Sequence, residues 1–310
     1  MFFGFRNKIG SVLFADEWIF VFLCSKREKV LKTMKKTLYV SDLDGTLLDR
    51  NSQLSDESVA ILNRVIEEHG VNFTIATART PATVEHIMRR VRTRLPYIVM
   101  NGAAMWCNEN RQFLSKNVIS PADVKRVCGI YESYGLCPMV YRVNGDKLEV
   151  RSCGSLSSAE VEFVEQRRSL ELKRFFLEDC CYKENECDAL LIFAMNDYET
   201  RRPIHNEIVA TTECSSVFYH DIFDASAGLA ETYANGVSKA DAVGRLAREM
   251  GAERLVVFGD NRNDIPMMQI ADLSVAPENA VDEVKAIADV VIEPNYMNSV
   301  AKFILSEIEG

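Results

Sequence analysis

Residues 38–48 read LYVSDLDGTLL. An apolar run ends in two carboxylates one residue apart, Asp42 and Asp44, followed at once by Gly45 and Thr46. Buried carboxylates are costly unless something pairs with them, so the rest of the chain has to supply partners. The run itself has the pattern of a buried parallel strand, which is near-continuously hydrophobic rather than alternating.

Working outward, Ser55 can cap a helix in which Val59, Leu62 and Ile66 recur at helical spacing, and Gly70 can end it. VNFTIAT (71–77) reads as a second strand. Thr80-Pro81 pairs an N-cap with a proline at the first helical position, opening a helix to about Arg92. YIVMNG (97–102) reads as a third strand. Strands alternating with helices imply right-handed crossovers and a doubly wound parallel sheet. The pattern changes near Cys107. A helix starts at Ser120-Pro121 and runs to about Tyr134. A hairpin turns around Asn144-Gly145, and SAEVEFVEQRRSL (158–170) reads as a helix. ALLIFAMN (189–196), YETRRPIHNEIVATT (198–212) and SSVFYHDIFD (215–224) read as strand, helix and strand. The parallel pattern returns after about Leu229, with a helix from Ser238 to near Gly251 and strands RLVVFGD, LSVAP and DVVIEP. The expectation is a core of residues 34–106 and 227–310, interrupted by an α+β module at 107–226, with residues 1–33 an extension outside the fold.

In an open parallel sheet, ligands sit beyond the carboxyl ends of the strands. The groups expected there are Asp42 and Asp44, then Thr77-Ala78-Arg79, then Asp260-Asn261-Arg262-Asn263-Asp264, with Lys239 at the start of the preceding helix. Asp42, Asp44, Asp260 and Asp264 would repel one another unless cations neutralise them. Mg2+ suits hard oxygen ligands, and Lys239 adds a positive charge. Such parts suit phosphoryl transfer. One carboxylate attacks phosphorus, a second handles the proton of the leaving oxygen, and cations and amide donors hold the phosphoryl charge.

The segments DLDGTLL, TIATART, GVSKADAV and GDNRNDIPMM resemble the four ordered motifs of the haloacid dehalogenase superfamily of hydrolases. The overall pattern, over residues 35–310, is similar to the superfamily's Cof-type phosphatases. The resemblance implies a Rossmann-like α/β core with an inserted C2-type α+β cap, and Mg2+ as cofactor. It implies that Asp42 is the nucleophile and a metal ligand, and that Asp44 is the general acid/base with its backbone carbonyl on the metal. Thr77 and the Ala78 amide would bind the phosphoryl group, Lys239 would neutralise nucleophile and phosphate, and Asn263 would contact phosphate. Asp260 would bind metal directly, and Asp264 would support it through water or hold Lys239. Met100-Asn101-Gly102-Ala103 resembles the family's substrate-facing turn, which assigns Asn101 to substrate. Arg79 is expected to pair with a carboxylate or to meet substrate. Two positions depart from the pattern: Ala78 and Ala240 stand where the family commonly has glycine. A methyl at 78 could crowd the phosphate loop or resist a positive φ, but the amide remains, so activity is expected to survive.

Composition narrows the partners. The chain of 310 residues is 47% hydrophobic and 26% charged, with a net charge of -9. No basic stripe marks a nucleic-acid surface. Nine cysteines, an odd number, are scattered rather than framed, which suits reduced thiols in the cytoplasm. Cys180, Cys181 and Cys187 cluster without the CxxC pairs or histidines a zinc site wants. Asp16 and Glu17 break the apolar N-terminal stretch, so no span of ~20 residues and no stable membrane insertion is expected. The rival to an extension upstream of a start at Met34 is a membrane-surface or partner-binding helix. The four histidines adjoin no motif. On the strand carrying Tyr141 and Arg142, alternation lets only one face inward, and Arg142 is the candidate. The expected activity is Mg-dependent hydrolysis of a small phosphorylated metabolite, a sugar phosphate or phosphorylated cofactor, through an aspartyl-phosphate. The alternative class is a catalytically idle phosphate-sensing or partner-binding protein, against which the presence of both Asp42 and Asp44 argues. Substrate identity and oligomeric state are not written in the motifs.

Overall fold

A computed structural model describes residues 36–177, 188–220 and 227–310. The N-terminal extension, the Cys180–Cys187 cluster and the end of SSVFYHDIFD lie outside the described residues. The chain opens with β1 (Thr37–Ser41), α1 (Asp56–His69), β2 (Asn72–Ile75), α2 (Pro81–Met88) and β3 (Tyr97–Val99). A hairpin follows, β4 (Ala104–Cys107) and β5 (Gln112–Lys116). Next come α3 (Pro121–Ser133), β6 (Met139–Asn144), β7 (Lys147–Ser152), α4 (Ser158–Glu165), β8 (Lys173–Leu177), β9 (Ala189–Asp197), α5 (Tyr198–Thr211), β10 (Ser215–His220) and β11 (Ala227–Tyr233). The chain closes with α6 (Lys239–Met250), β12 (Arg254–Phe258), α7 (Ile265–Gln269), β13 (Leu273–Pro277), α8 (Asp282–Lys285), β14 (Val290–Ile292) and α9 (Ser299–Glu309).

The core sheet is parallel in the order β14-β13-β12-β1-β2. β3 joins beside β2 through a parallel bridge between Ala76 and Ile98. The chain winds outward from β1 to one side through β2, and from β12 to the other side through β13. β1 and β12 therefore flank the switch point where such sheets bind ligands. Of the expected caps, Ser55 and Ser238 accept from the backbone amides of Ser58 and Asp241, and Gly70 and Gly251 end their helices in the left-handed region, whereas Thr80 starts α2 without a side-chain cap bond.

The second sheet has the order β10-β11-β9-β6-β7-β8 and is antiparallel except for β7–β8. Val140, Ile192 and Ala194 pack under α3 and α5 with Val127, Tyr131, Ile204 and Ile208. Met139, Tyr141, Leu191 and Phe193 line the opposite face and join one apolar cluster with Met100 and Trp106 of the core. That face is the one laid on the core.

Four expectations need correction. β11 was expected in the core portion that begins at 227, but it pairs with β9 and β10 and belongs to the cap sheet. Its period-2 alternation, Leu229, Glu231 and Tyr233 against Ala230 and Thr232, suits a sheet with two dissimilar faces. β5, which falls in the stretch expected to begin the cap at 107, instead pairs antiparallel with β4, which itself folds back on β3. The helix expected over 158–170 ends at Glu165, and the segment then descends into β8. Arg142, proposed to face inward, alternates to the side of Val140, in register with Glu149, while Tyr141 joins the core-side cluster.

Lys173 of β8 is buried on the core side of the cap, its Nζ 5.1 Å from the ring centre of Tyr141 and 5.9 Å from that of Phe175. Burial, reinforced by the nearby Arg167 charge, lowers its amine from 10.5 to about 7. The unfolded chain then binds more protons between pH 7 and 10.5, so stability rises with pH across that window, and the burial cost is fully present below pH 7. Lys173→Met is expected to be more stable than the parent at pH 6, with a margin that narrows as pH is raised from 7 toward 10.5. Urea denaturation at each pH measures it, and a margin that ignores pH would mean the amine is solvated.

Candidate active site

β1 delivers Asp42 to the ligand edge of the sheet, where its backbone N–H donates to the Phe258 carbonyl at the end of β12, 3.0 Å away. The chain then makes a wide turn over Leu43–Leu47, closed by the Leu48 amide donating to the Leu43 carbonyl at 2.9 Å. Gly45 sits in this turn at φ +81, and a Cβ there would lie 2.2 Å from Asp260 Oδ2. Glycine is thus required both by the backbone and by the carboxylate beside it. Thr46 donates to Asp260 Oδ1 at 2.7 Å. Late elements brace the turn: Asn279 Nδ2 donates to the Gly45 carbonyl and Asn295 Nδ2 to the Leu48 carbonyl.

Lys239, the first residue of α6, is buried and bridges two acids. Its Nζ donates to Asp42 Oδ1 at 2.5 Å and to Asp264 Oδ1 at 2.7 Å. Burial opposes its charge, but Asp264 and Asp42 more than compensate and hold its amine above the ordinary lysine range. Asp264 spends its other oxygen on the backbone amides of Asp260 and Asn261. Of the two roles expected for it, holding Lys239 is the one its bonds support. A Cβ on Gly259 would come within 2.5 Å of the Asp264 Cβ, so a side chain there would displace this carboxylate.

Burial pushes the carboxyl of Asp42 well above the usual range, with Lys239 pulling it back and Asp264, Asp260 and Asp44 pushing it further. Burial, then Asp264, pushes Asp260 up to about 7. Asp42, Asp260 and Asp264 each offer a carboxylate oxygen, and these lie within 4.8 Å of one another. Four carboxylates of these loops meet two cationic side chains, Lys239 and Arg79, which leaves negative charge unanswered. Oxygen donors in that number and spacing fit a divalent cation.

Arg79 grips Asp44 with both arms, Nε to Oδ2 at 2.6 Å and a terminal nitrogen to Oδ1 at 2.5 Å. Burial opposes its charge, but the bonds to Asp44 raise its pKa. Of its two expected partners, the carboxylate is the one it meets here. Thr77 is buried at the loop after β2, and its Oγ1 accepts from the Arg79 amide at 3.1 Å. Ala78 is not among the residues with positive φ, so its methyl meets no backbone penalty. Asn263 is exposed on the turn over Arg262–Asp264, at the rim rather than in the buried cluster.

Met100, Asn101 and Gly102 all have positive φ, an unusual run for the first two. The turn is stitched to the neighbouring loop by the Met100 amide donating to the Arg79 carbonyl and the Asn101 amide to the Thr77 carbonyl. A Cβ on Gly102 would lie 2.3 Å from the Ser238 carbonyl, so this turn also seats the start of α6 and with it Lys239. Asn101 Nδ2 donates to Glu231 Oε2 at 2.9 Å and to the Tyr233 hydroxyl at 3.2 Å. Its Oδ1 is buried with no hydrogen-bond partner among the described residues.

The profile of the haloacid dehalogenase-like hydrolases matches residues 39–304. The chain belongs to that family. Within it the chain is a Cof-type phosphatase, a phosphoric monoester hydrolase. Its relatives include the 5-amino-6-(5-phospho-D-ribitylamino)uracil phosphatase YcsE of Bacillus subtilis, 25% identical over 86% of this chain and 94% of that protein. The pyridoxal phosphate phosphatase YbhA of Escherichia coli is 27% identical over 86% of this chain and 97% of that protein. A crystal structure of a haloacid dehalogenase-like hydrolase from Bacteroides thetaiotaomicron superposes with a TM-score of 0.72 at 21% identity, covering 88% of this chain and all of that one.

Glu231 and Tyr233 are the neighbours of this site that the motifs did not flag. Glu231 is buried and also accepts from Tyr233 at 2.8 Å, and burial raises its carboxyl above the usual range. The signal was present as a lone acid in the otherwise apolar and small run AGLAETY.

Gly45→Ala is expected to lower turnover of a phosphomonoester at least a hundredfold by displacing Asp260. Gly70→Ala is the control: it has a similar φ of +69 but open space around it. It should cost roughly 1 kcal/mol of stability and leave turnover intact. Steady-state kinetics with thermal melts separates the two, and equal activity in both variants would refute the steric account.

Proposed function

We propose that this phosphatase hydrolyses a small phosphorylated metabolite with Mg2+, with Asp42 as nucleophile and Asp44 as general acid/base, in the cytoplasm. The observation that carries the reading is the buried Asp42–Lys239–Asp264 bridge at the strand switch point, beside Asp260. Lys239 engages Asp42 Oδ1, which leaves Oδ2 to attack phosphorus. Attack would transfer the phosphoryl group to Asp42 and release the alcohol. Asp44, two residues on, would give that oxygen its proton and then take one from the attacking water. Asp42, Asp260 and the Asp44 carbonyl would hold Mg2+, with Asp264 positioned behind them, and the bound ion would neutralise charge on the phosphoryl oxygens. Thr77 and the Ala78 amide would hold the remaining phosphoryl oxygens from the opposite loop, and Asn263 would approach from the rim.

Arg79 has a double use in this reading. It orients Asp44 in the structure, and an arriving phosphate would compete for the same guanidinium. The leaving group would lie under the cap. There the unanswered Asn101 Oδ1 calls for a hydrogen-bond donor, such as a hydroxyl or a ring N–H. The named relatives are phosphatases of a phosphoribitylaminouracil and of pyridoxal phosphate, and each of those compounds carries a hydroxyl that could serve.

Two measurements test the reading. With p-nitrophenyl phosphate, wild type should turn over with Mg2+ and lose activity with a chelator, and Asp42→Asn should fall at least a thousandfold. Equal rates in the two proteins would remove Asp42 as nucleophile. A panel of sugar phosphates, pyridoxal phosphate and phosphorylated flavin precursors should then yield one with a higher kcat/KM. Separately, Arg79→Met should lower kcat/KM at least tenfold, about 1.4 kcal/mol, with only partial recovery in Arg79→Lys, because lysine cannot make the two-armed contact. Full activity in Arg79→Met would assign the residue a purely structural place.

A further inference from the structure

Away from the active site, two cysteines meet at one end of the cap hairpin. Cys137 lies just before β6 and Cys153 just after β7, and these strands are antiparallel neighbours with Val140 opposite Arg151. The strand ends bring the two Sγ atoms to 3.0 Å, about 1 Å beyond the ~2.05 Å of a disulfide bond. The next residue, Gly154, makes the approach possible. A Cβ there would stand 2.8 Å from the Cys137 Cβ and 2.9 Å from its Sγ. Gly154 has no positive φ, so space rather than backbone freedom accounts for glycine at this position. Cys153 is exposed and Cys137 half-buried, so an oxidant reaches the pair from solvent. Cys128, near enough to feel both, is buried, and burial pushes its thiol up to about 12, which keeps it out of the exchange.

We propose that Cys137 and Cys153 form a reversible intrachain disulfide under peroxide, making this end of the cap a thiol-oxidation site. The thiolate of the exposed Cys153 attacks one oxygen of hydrogen peroxide. The O–O bond breaks, and the departing hydroxide takes a proton to become water, leaving a sulfenic acid. The Cys137 thiolate then attacks that sulfur, and the S–O bond breaks as the second hydroxide leaves as water. Two thiols and one peroxide thus become one disulfide and two waters, with two electrons passing from sulfur to oxygen. A dithiol reductant reverses the reaction by exchange. The bond would close a loop between residues 16 positions apart and fasten β6 to β7 at the end opposite their turn.

The test uses the full chain, treated with hydrogen peroxide, quenched, alkylated and digested without reduction. Mass spectrometry should find the peptides of Cys137 and Cys153 joined, 2 Da lighter than their reduced sum, and separated by dithiothreitol. Cys137→Ser and Cys153→Ser should each abolish the joined species, keep wild-type turnover of p-nitrophenyl phosphate, and lose the rise of several degrees in Tm that peroxide gives the wild type. The proposal falls if these peptides stay separate in the wild type while thiols are consumed elsewhere. It falls equally if Cys153 stops at sulfenic or sulfinic acid with Cys137 still reduced. Because the wild-type digest alone decides this, the result stands even if a serine variant folds poorly.

Discussion

The ammonium of Lys239, buried between Asp42 and Asp264, is the contact on which the rest of the site depends. It ties the start of α6 to the end of β1, 197 residues away in sequence, and to the loop after β12. A buried ion pair adds little net stability over an apolar substitute, but removing one partner leaves the others uncompensated, at about 3–5 kcal/mol. Here two carboxylates would be left facing each other, so the lysine matters less as a source of stability than as the condition for both acids to be there. The surroundings are arranged to keep it in place. Asp264 is anchored by two backbone amides, Gly102 lets the substrate-side turn press on the Ser238 carbonyl, and Gly259 leaves room for Asp264.

Electrostatics then explains why Asp42, Asp260 and Asp264 together could hold a metal ion. Lys239 answers part of the charge on Asp42 and Asp264, and Arg79 answers Asp44, but among the described residues the side chain of Asp260 has only the Thr46 hydroxyl as a hydrogen-bond partner. Its carboxyl is pushed up to about 7 by burial and by Asp264, which is the mark of a group waiting for a positive charge. The same turn that brings Asp44 round makes a close approach to Asp260 at Gly45. Asp42, Asp44 and the Asp260 carboxylate are therefore gathered around one small piece of backbone.

The central sheet was legible because buried parallel strands are continuous apolar runs, and because Ser55, Gly70, Ser238 and Gly251 are helix punctuation with a physical cause. The chemistry-bearing positions were legible for a related reason: acids at strand ends are rare enough to stand out. What escaped was set by tertiary contact. β11 follows cap pairing although Lys239 stands only six residues beyond it, and nothing in its short alternation says which sheet it will join. Arg142 against Tyr141 was a choice of face that period 2 leaves open until the partner layer is known. Of the two concerns over Ala78, the one about a positive φ falls away because the backbone there is not in the left-handed region. Glu231 is a single acid in a strand and carries no motif; only the fold shows that it meets Asn101.

That meeting couples the cap to the core loops. Asn101 is held from below by the Thr77 carbonyl through its own amide, and from the cap side by Glu231 and Tyr233 through its side chain. Its positive φ is a strained setting for a non-glycine residue, tolerated where surrounding contacts over-determine it. With Nδ2 committed to the cap, the amide can flip only by breaking both of those bonds, so Oδ1 is fixed as an acceptor. The cap therefore influences recognition in two ways. In the proposed reading it would supply the surface over the leaving group, and through Glu231 and Tyr233 it would dictate the polarity that Asn101 shows to that group. A change in the cap at Glu231 or Tyr233 would release Asn101 and alter the hydrogen-bonding pattern demanded of a substrate, while Asp42, Lys239 and Asp260 stayed where they are.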